Sequence, residues 1–246
     1  MLQDTLGSTF EHMGFEALKL KRQFLKALDD MGFSTPTPIQ EKAIPRILAG
    51  QDIIGVAQTG TGKTAAFVLP LLQHIQGRQE GAPRVAILVP TKELALQVHQ
   101  VVVDFASHTD MRALALVGGV GPKTQIAALA NGAELVVATP GRFLELYLKG
   151  ALVVNKLQAM VLDEADRMMD MGFMPQLRDI LEVVPSKRQN LLFSATFPVR
   201  VERLADEFLL WPTRIEVAPE GTPVSTVDQH MVKVPNLQTK LNLLSF

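Results

Sequence analysis

Short apolar runs alternate with longer segments of helical periodicity along most of this chain. That alternation is typical of a parallel β-sheet whose connecting helices cover both of its faces. The sequence therefore predicts an α/β fold with a mostly parallel sheet of about seven strands and helices on both faces. The predicted strands are Asp52 to Val56, Arg84 to Val89, Ala113 to Val117, Leu135 to Ala138, Ala159 to Leu162, Leu191 to Phe193 and Arg214 to Val217.

A polar or glycine-rich turn follows each predicted strand. In chain order, the turns after the first six strands read GTGKT, PTKE, GG, TPGR, DEAD and SAT. Ligands of open α/β sheets bind outside the carboxyl ends of the strands. We therefore expect these motifs to lie along one functional edge of the sheet.

Length and composition narrow the class of protein. The chain has 246 residues, which is enough for one large α/β domain and too few for a second of that size. Its formal net charge is −1, so it lacks the strongly basic surface of many nucleic-acid binders, although contacts through main-chain N–H groups stay possible. The absence of cysteine excludes disulfides and thiolate metal sites.

Neither a membrane span nor a secretion signal is predicted, because no run of about 18 apolar residues occurs and the N-terminus lacks a basic-then-apolar order. We expect a soluble, cytoplasmic protein. We assign residues 1–217 to the main domain. The stretch Ala218 to Thr226 (APEGTPVST) is typical of a linker, and 218–246 is predicted to be a linker with the truncated start of a second domain.

Residues 57–64, AQTGTGKT, follow the first predicted strand and match the phosphate-loop pattern except for Ala57 at the first glycine. Glycines let the backbone approach phosphate oxygens, Lys63 supplies a charge to the β and γ phosphates, and the Thr64 hydroxyl can hold Mg²⁺. The alternative is a plain glycine-rich turn. The predicted nucleotide contacts here are Thr59, Gly60, Thr61, Gly62, Lys63 and Thr64.

Two acids, Asp163 and Glu164, close the apolar run AMVL. In such a pair one carboxylate binds Mg²⁺ through its water shell and the other positions or deprotonates the attacking water. We assign the metal to Asp163, which comes first after the strand, and the general base to Glu164. The alternative is a helix start that is rich in acids to complement the helix dipole.

In this order, the motifs resemble the N-terminal RecA-like lobe of a bacterial-type DEAD-box RNA helicase, named for DEAD at Asp163 to Asp166. The match runs from residue 15 to about 217, and GFSTPTPIQ (Gly32 to Gln40) resembles the Q motif with Phe15 at the upstream aromatic position. The resemblance implies a RecA-like P-loop fold, ATP and Mg²⁺ as cofactors, and local unwinding of RNA.

The Q motif points to adenine recognition. A glutamine amide can pair with adenine N6 and N7, so Gln40 is the expected adenine reader, as the resemblance also implies. Phe15 would stack on the base, although the amphipathic stretch that it begins could instead bury its ring as core.

Three further motifs resemble the family's RNA-contacting segments: PTKELA, GG and TPGR. Their small, turn-forming residues suit capture of a sugar-phosphate backbone by main-chain N–H groups, without reading of base sequence. Each could also be an ordinary turn with a capping threonine. Lys92 stands where the family usually has arginine, and it lacks the planar fork that grips phosphate in two bonds. The candidate RNA contacts are Pro90, Thr91, Lys92, Gly118, Gly119, Thr139, Pro140, Gly141 and Arg142.

SAT, at Ser194 to Thr196, resembles the coupling motif of the family. It follows the strand NLLF, so the two hydroxyls should lie near Asp166 across adjacent strand ends. In the family this contact couples the nucleotide state to the arrangement of two lobes. The alternative is that the hydroxyls only cap the next turn.

The resemblance also implies a second RecA-like lobe of a longer chain, which supplies an arginine finger worth about 10³–10⁵ in rate. We therefore expect the present chain to bind nucleotide, to hydrolyse it slowly and to unwind little or nothing, as a monomer. Two rival functions stay open. One is a nucleotide-gated clamp without productive unwinding, and the other is a DNA-directed motor built on the same lobe.

Overall fold

The computed structural model describes residues 14–75 and 82–217. The predicted linker and second domain at 218–246 lie outside these ranges. The chain begins with a 3-10 helix, Phe15–Leu18. The strands are β1 Ile53–Val56, β2 Val85–Leu88, β3 Ala113–Leu116, β4 Leu135–Ala138, β5 Ala159–Leu162, β6 Gln189–Ser194 and β7 Thr213–Glu216. The helices are α1 Arg22–Asp30, α2 Pro38–Leu48, α3 Lys63–His74, α4 Lys92–Phe105, α5 Pro122–Ala130, α6 Pro140–Leu148, α7 Ala165–Asp170, α8 Met174–Val183 and α9 Val199–Phe208.

The strands of the described residues form one seven-stranded sheet with the order β3-β4-β2-β5-β6-β1-β7. Every pair of neighbouring strands is parallel. This confirms the predicted α/β architecture. Parallel strands need crossover connections, and the helices that make them cover the sheet.

Alternate residues of each strand enter different cores, because side chains along a strand point to opposite faces. In β5, Ala159 and Val161 pack in one core, and Met160 and Leu162 pack in the other. The first core contains buried residues of helices α1 to α4, and the second contains buried residues of α6 to α9. Helices therefore lie on both faces, as predicted.

The strand β6 is longer than the predicted Leu191 to Phe193 and includes Ser194. Tertiary partners extend it at both ends. The buried Asp52 carboxylate accepts the Asn190 N–H at 2.8 Å, and Ser194 pairs in register with Val56 of β1. Polar residues therefore enter the sheet where their backbone groups find partners.

The strand order divides the functional edge into two neighbouring groups of loops. We call the loops after β1, β5 and β6, residues 57–64, 163–166 and 194–196, the phosphate-loop half. We call the loops after β2, β3 and β4 the helix-start half, after the helices α4, α5 and α6 to which they lead. It consists of residues 89–92, 117–122 and 139–142. The two halves meet between β5 and β2, which are neighbours in the sheet. Among the described helices, none is both long and apolar enough to cross a bilayer.

Candidate functional site

The phosphate loop is already shaped for an anion. Gly60 and Gly62 have φ angles of +84° and +88°, a region in which a side chain is strained. Lys63 begins α3, is buried, and donates from Nζ to the carbonyl of Ala57 at 2.7 Å. A backbone carbonyl of the loop therefore holds the ammonium group of Lys63 in place.

Gln40 ties the Q motif to this loop. Its Oε1 accepts the Thr37 N–H at 2.9 Å, and its Nε2 donates to the Gly62 carbonyl at 3.1 Å. The side chain is buried at 4% exposure. Within the part of the chain that the structure describes, one amide proton and one lone pair of Gln40 stay unused, and these are the two groups that a bidentate adenine contact requires.

Thr37 is a residue of this site that the sequence reasoning missed. It is the N-cap of α2, and the side chain of Gln40 at the N3 position accepts its backbone N–H, which is one half of a capping box. Among the described residues, the buried hydroxyl oxygen of Thr37 has no hydrogen-bond partner, and it lies 3.0 Å from where a Cβ on Gly62 would be. The pattern T-x-x-Q before a helix is a signal that could have identified it.

Gly62 is required for a second reason besides its φ angle. A Cβ at this position would collide with Nε2 of Gln40, whereas one on Gly60 would have nothing within 4 Å. The contact between the Q motif and the phosphate loop therefore depends on the absence of a side chain at Gly62.

Phe15 lies in the 3-10 helix and is only 3% exposed. Its ring packs in the core that also contains Phe24 of α1. This favours the core alternative, because a ring so deeply buried does not present an open face to a base. The amphipathic stretch buries it since its apolar positions face the same core.

Asp163 directly follows β5 and is 3% exposed. Burial raises the pKa of its carboxyl to about 6, and the nearby charge of Lys63 and the Glu164 N–H act in the opposite direction. That N–H donates to Oδ1 at 3.0 Å. The carboxylate therefore needs a further cation to be fully stabilised as an anion.

Glu164 has a φ of +54°, the left-handed region that residues with side chains rarely adopt. Strain of this kind costs about 1–3 kcal/mol and concentrates at functional sites. Its carboxylate accepts a hydrogen bond from Arg167 at 3.1 Å, an i,i+3 pair on α7 that the sequence reasoning missed. Glu164 is partly exposed, so its carboxylate is accessible to water.

Asp166 meets the SAT motif, as predicted. Its Oδ2 accepts the backbone N–H of Thr196 at 3.0 Å and the hydroxyl of the same residue at 2.9 Å. Its own N–H donates to Oγ of Ser194 at 3.2 Å. Burial alone would raise the pKa of Asp166, but the hydrogen bonds from Thr196 and Ser194 outweigh it and hold the pKa below its usual value. This carboxylate is therefore ionised and committed to the β6 loop.

An open cleft of about 240 Å³ lies beside these acids. Thr59 of the phosphate loop lines it, together with Glu164, Asp166, Arg167, Asp170 and Ala195. The candidate base therefore faces a space that also borders the phosphate loop.

The donor set suits Mg²⁺ held jointly with phosphate. Asp163 and Thr64 offer oxygen ligands, which this ion prefers, and a bound cation would offset the cost of burying the Asp163 carboxylate. Within residues 14–75 and 82–217, no group of three or more His, Asp or Glu side chains could hold a metal by itself. That fits an ion bound through one or two protein groups and substrate phosphates.

The helix-start half offers main-chain donors. The first N–H groups of a helix have no intrahelical acceptor, and α4, α5 and α6 all begin at this edge. Thr91 caps α4 by accepting the Leu94 N–H at 3.2 Å, so the capping alternative holds for this residue. The PTKE and GG motifs lie together, since a Cβ on Gly119 would be 3.7 Å from Nζ of Lys92. Of the three prolines of this half, those at 90 and 140 are buried and the one at 122 is partly buried.

Arg142 differs from the expectation of an exposed RNA contact. It is buried at 9% exposure, and its guanidinium binds Glu145, the Val120 carbonyl and Gln125. The guanidinium of Arg142 is thus occupied within the protein, because it reaches from α6 to the loop that contains Val120. Gln125, which no motif identified, is buried beside it.

The family model of the DEAD/DEAH box helicase matches residues 37–204 of this chain. The chain is 41% identical over 231 residues to ATP-dependent RNA helicase dbp10 of Schizosaccharomyces pombe, a match that covers 94% of this chain and 27% of that protein. It is 43% identical over 234 residues to ATP-dependent RNA helicase drs1 of Neurospora crassa, covering 94% of this chain and 28% of that one.

A bacterial relative is equally similar. ATP-dependent RNA helicase DeaD of Escherichia coli K12 is 40% identical over 233 residues, and the match covers 94% of this chain and 37% of the relative. The chain therefore spans 27–37% of the length of these relatives. Because fungal and bacterial proteins match alike, the bacterial type of the protein stays a prediction.

Proposed function

The chain belongs to the DEAD/DEAH box helicase family, and from that premise we propose that it is the ATP-binding lobe of an ATP-dependent RNA helicase. In this proposal, binding and hydrolysis of ATP are coupled to RNA binding and local unwinding of a duplex. The observation that carries the proposal is the contact of Gln40 with Gly62, which connects the residue expected to recognise adenine with the phosphate loop.

The nucleotide is bound through charge and main-chain donors. Lys63 leaves the Ala57 carbonyl for the β and γ phosphates, and the glycines of the loop let its N–H groups approach them. Asp163 and Thr64 hold Mg²⁺, which when bound neutralises charge on the phosphate oxygens. Gln40 accepts one hydrogen bond from adenine through its free lone pair and donates one to adenine through its free amide proton.

Glu164 accepts a proton from the attacking water, and Asp166 transmits the state of the site to the loop of Ser194 and Thr196. Support for the first role is the exposure of the carboxylate beside the cleft and its strained backbone. Support for the second is the pair of hydrogen bonds from Thr196 to Asp166.

RNA is held on the helix-start half by its sugar-phosphate backbone, independently of base sequence. The donors are the free amide groups around Gly118 and Gly119 and at the starts of α4 and α6, with Lys92 beside them. Thr91, Thr139 and Gly141 complete this surface.

A second RecA-like lobe completes the ATP-hydrolysing site and supplies the arginine finger. The lengths of the relatives support this, since the chain spans 37% or less of each of the three compared. We further propose that the protein works as a monomer in the cytoplasm, which light scattering and cell fractionation test.

The deciding experiment measures ATP turnover by the 246-residue chain with and without single-stranded RNA, beside a nucleotide-binding titration. Binding without RNA-stimulated turnover supports a half-site that awaits its second lobe. Brisk RNA-stimulated turnover would contradict the two-lobe account. Separation of a short RNA duplex by the full-length protein with ATP distinguishes a helicase from a clamp, and stimulation by DNA instead of RNA would favour a DNA motor.

Gln40→Ala tests the adenine contact. We expect it to narrow the preference for ATP over GTP, because the bidentate pairing contributes about 1–3 kcal/mol of discrimination. Competition binding measures the ratio, with total affinity followed separately because Gln40 also braces Gly62. An unchanged ratio would remove adenine reading from this residue.

A further inference from the structure

We infer that Gln125, Arg142 and Glu145 are positioning residues that hold residues 117–121, here called the glycine loop, in the shape that receives an RNA backbone. The inference deepens the proposed function and rests on it for the identity of the ligand. It assigns Arg142 to the support of the loop and not to contact with phosphate.

The entry to the glycine loop is held by Gln125 of α5. Its Nε2 donates to the carbonyl of Val117 at 2.9 Å, in a contact that is buried on both sides. Gln125 itself is 7% exposed and Val117 is 2% exposed. A buried amide that bonds a loop carbonyl determines the direction of that peptide, since the alternative orientation leaves two polar groups unpaired.

The exit from the loop is held by Arg142 of α6. One terminal nitrogen donates to the carbonyl of Val120 at 3.1 Å, and the other approaches Oε1 of Gln125 at 3.4 Å. The two supports therefore contact each other beneath the loop. Carbonyls on either side of Gly118 and Gly119 are turned inward by side chains of two different helices.

Glu145 fixes the guanidinium in this orientation. Its Oε2 lies 3.0 Å from Nε of Arg142, and its Oε1 accepts from Lys149 at 2.5 Å. The hydrogen bond from Lys149 lowers the pKa of the Glu145 carboxyl, so it stays ionised opposite Arg142. The edge of the fork that carries Nε is thereby occupied, which leaves no bidentate face for phosphate.

The donors of the glycine loop are left free by this arrangement. Within the described ranges, the amide N–H groups of residues 118–121 donate no hydrogen bond to the protein, and these residues are exposed. Gly119 has a φ of +76°, which turns the chain back at this point. A loop with its carbonyls held inside and its N–H groups free is suited to bind an anion.

The experiment compares Gln125→Met with Arg142→Met in the 246-residue chain. Gln125→Met keeps the size of the side chain and the charge of Arg142, but it removes both hydrogen bonds of the amide. The matched control is Gln100→Met, the same exchange at an exposed position of α4. Three quantities are measured: backbone amide order parameters of residues 117–121 by NMR relaxation, affinity for fluorescent oligouridylate, and affinity for a fluorescent ATP analogue.

We expect both variants to lower the order parameters of the glycine-loop amides from about 0.85 to below about 0.6. We also expect them to weaken oligouridylate binding by about tenfold, which corresponds to about 1.4 kcal/mol. Affinity for the ATP analogue and the order parameters of α3 stay at wild-type values, which excludes general unfolding. Gln125→Glu, which keeps an acceptor for Arg142 but loses the donor to Val117, gives an intermediate effect. The control changes none of the three.

Two results would overturn the inference. The first is unchanged order parameters in residues 117–121 of Gln125→Met. The second is loss of oligouridylate binding in Arg142→Met alone, which would make Arg142 a direct phosphate ligand. If the wild-type chain binds no oligouridylate, the proposed RNA surface fails, and the order parameters still decide whether these side chains hold the loop. Should Arg142→Met not fold, Glu145→Gln replaces it, with the same expected direction.

Discussion

The phosphate-loop half and the helix-start half lie on one edge of the same sheet, yet they use charged side chains in opposite ways. In the first, charged side chains themselves carry the proposed roles, and neighbours hold them: Nζ of Lys63 donates to a carbonyl, and the Asp166 carboxylate accepts two hydrogen bonds from Thr196. In the second, the most buried charge, Arg142, holds a loop whose main-chain donors, free within the described residues, are the proposed contacts.

This difference has a physical consequence. A buried ionisable group changes its charge state with pH, whereas amide donors do not titrate. The phosphate-loop half should therefore respond to pH and to single changes of charge, and the helix-start half should respond to salt and to loop geometry. The predictions below set one half against the other.

The largest effect should come from Glu164→Gln in the full-length protein. General-base catalysis contributes about 10²–10⁴ in rate, so ATP turnover should fall by that factor while ATP and RNA binding persist. Steady-state turnover and two binding titrations measure this. Turnover near the wild-type rate would show that another group takes the proton.

Gly62→Ala should damage the phosphate-loop half alone. The new Cβ collides with Gln40 in addition to the strain of a positive φ, which costs about 1–2 kcal/mol. Gly60→Ala is the matched control, because it carries the same strain with open space around the Cβ. We expect ATP affinity to fall about tenfold further in Gly62→Ala than in the control, with RNA affinity unchanged. Equal losses would show that strain alone matters.

Asp163 should make the phosphate-loop half sensitive to pH. Because burial raises its folded-state pKa to about 6, above the usual value of 3.8, the ionised carboxylate opposes folding. That cost develops as pH rises from about 4 to about 6 and then stays constant, at about 3 kcal/mol. Asp163→Asn should therefore raise the Tm of the nucleotide-free chain at pH 7.5, by an amount that shrinks toward pH 4.

Asp163→Asn should lose Mg²⁺-dependent ATP binding at the same pH values at which it gains thermal stability. Mg²⁺-dependent ATP affinity of the wild type should rise between pH 5 and about 7 as Asp163 ionises, and that of Asp163→Asn should be weak and flat. Titrations at several pH values check this. A Tm difference that does not vary with pH would contradict the assigned pKa.

The smallest effect is expected on the helix-start half. Lys92→Ala removes the cation beside Gly119, so the slope of log affinity against log salt for single-stranded RNA should fall by about 0.7. Lys156→Ala is the control, since this exposed lysine precedes β5 at the opposite edge of the sheet. A slope that is unchanged by Lys92→Ala, or lowered equally by both, would remove Lys92 from the RNA surface.

Much of the fold could be predicted from the sequence, because the signals are local. Apolar periodicity identified all seven described strands. The observed ends coincide with the predicted ones in β4 and β5 and differ by at most two residues in the others, most in β6. The glycines at 60 and 62 were predicted to let the backbone approach phosphate, and their positive φ angles are a structural finding that suits residues without a side chain. The meeting of Asp166 with Ser194 and Thr196 also followed, once both motifs were placed at strand ends.

The sequence by itself determined the order of strands, helices and loop motifs along the chain, because periodicity and turn chemistry act over a few residues. Only the tertiary structure decided that Gln40 reaches Gly62, that the ring of Phe15 is core, and that Arg142 supports the glycine loop. Each of these depends on which loops lie side by side. That adjacency is set by the strand order β3-β4-β2-β5-β6-β1-β7, which brings together residues far apart in the chain and removes their polar groups from water.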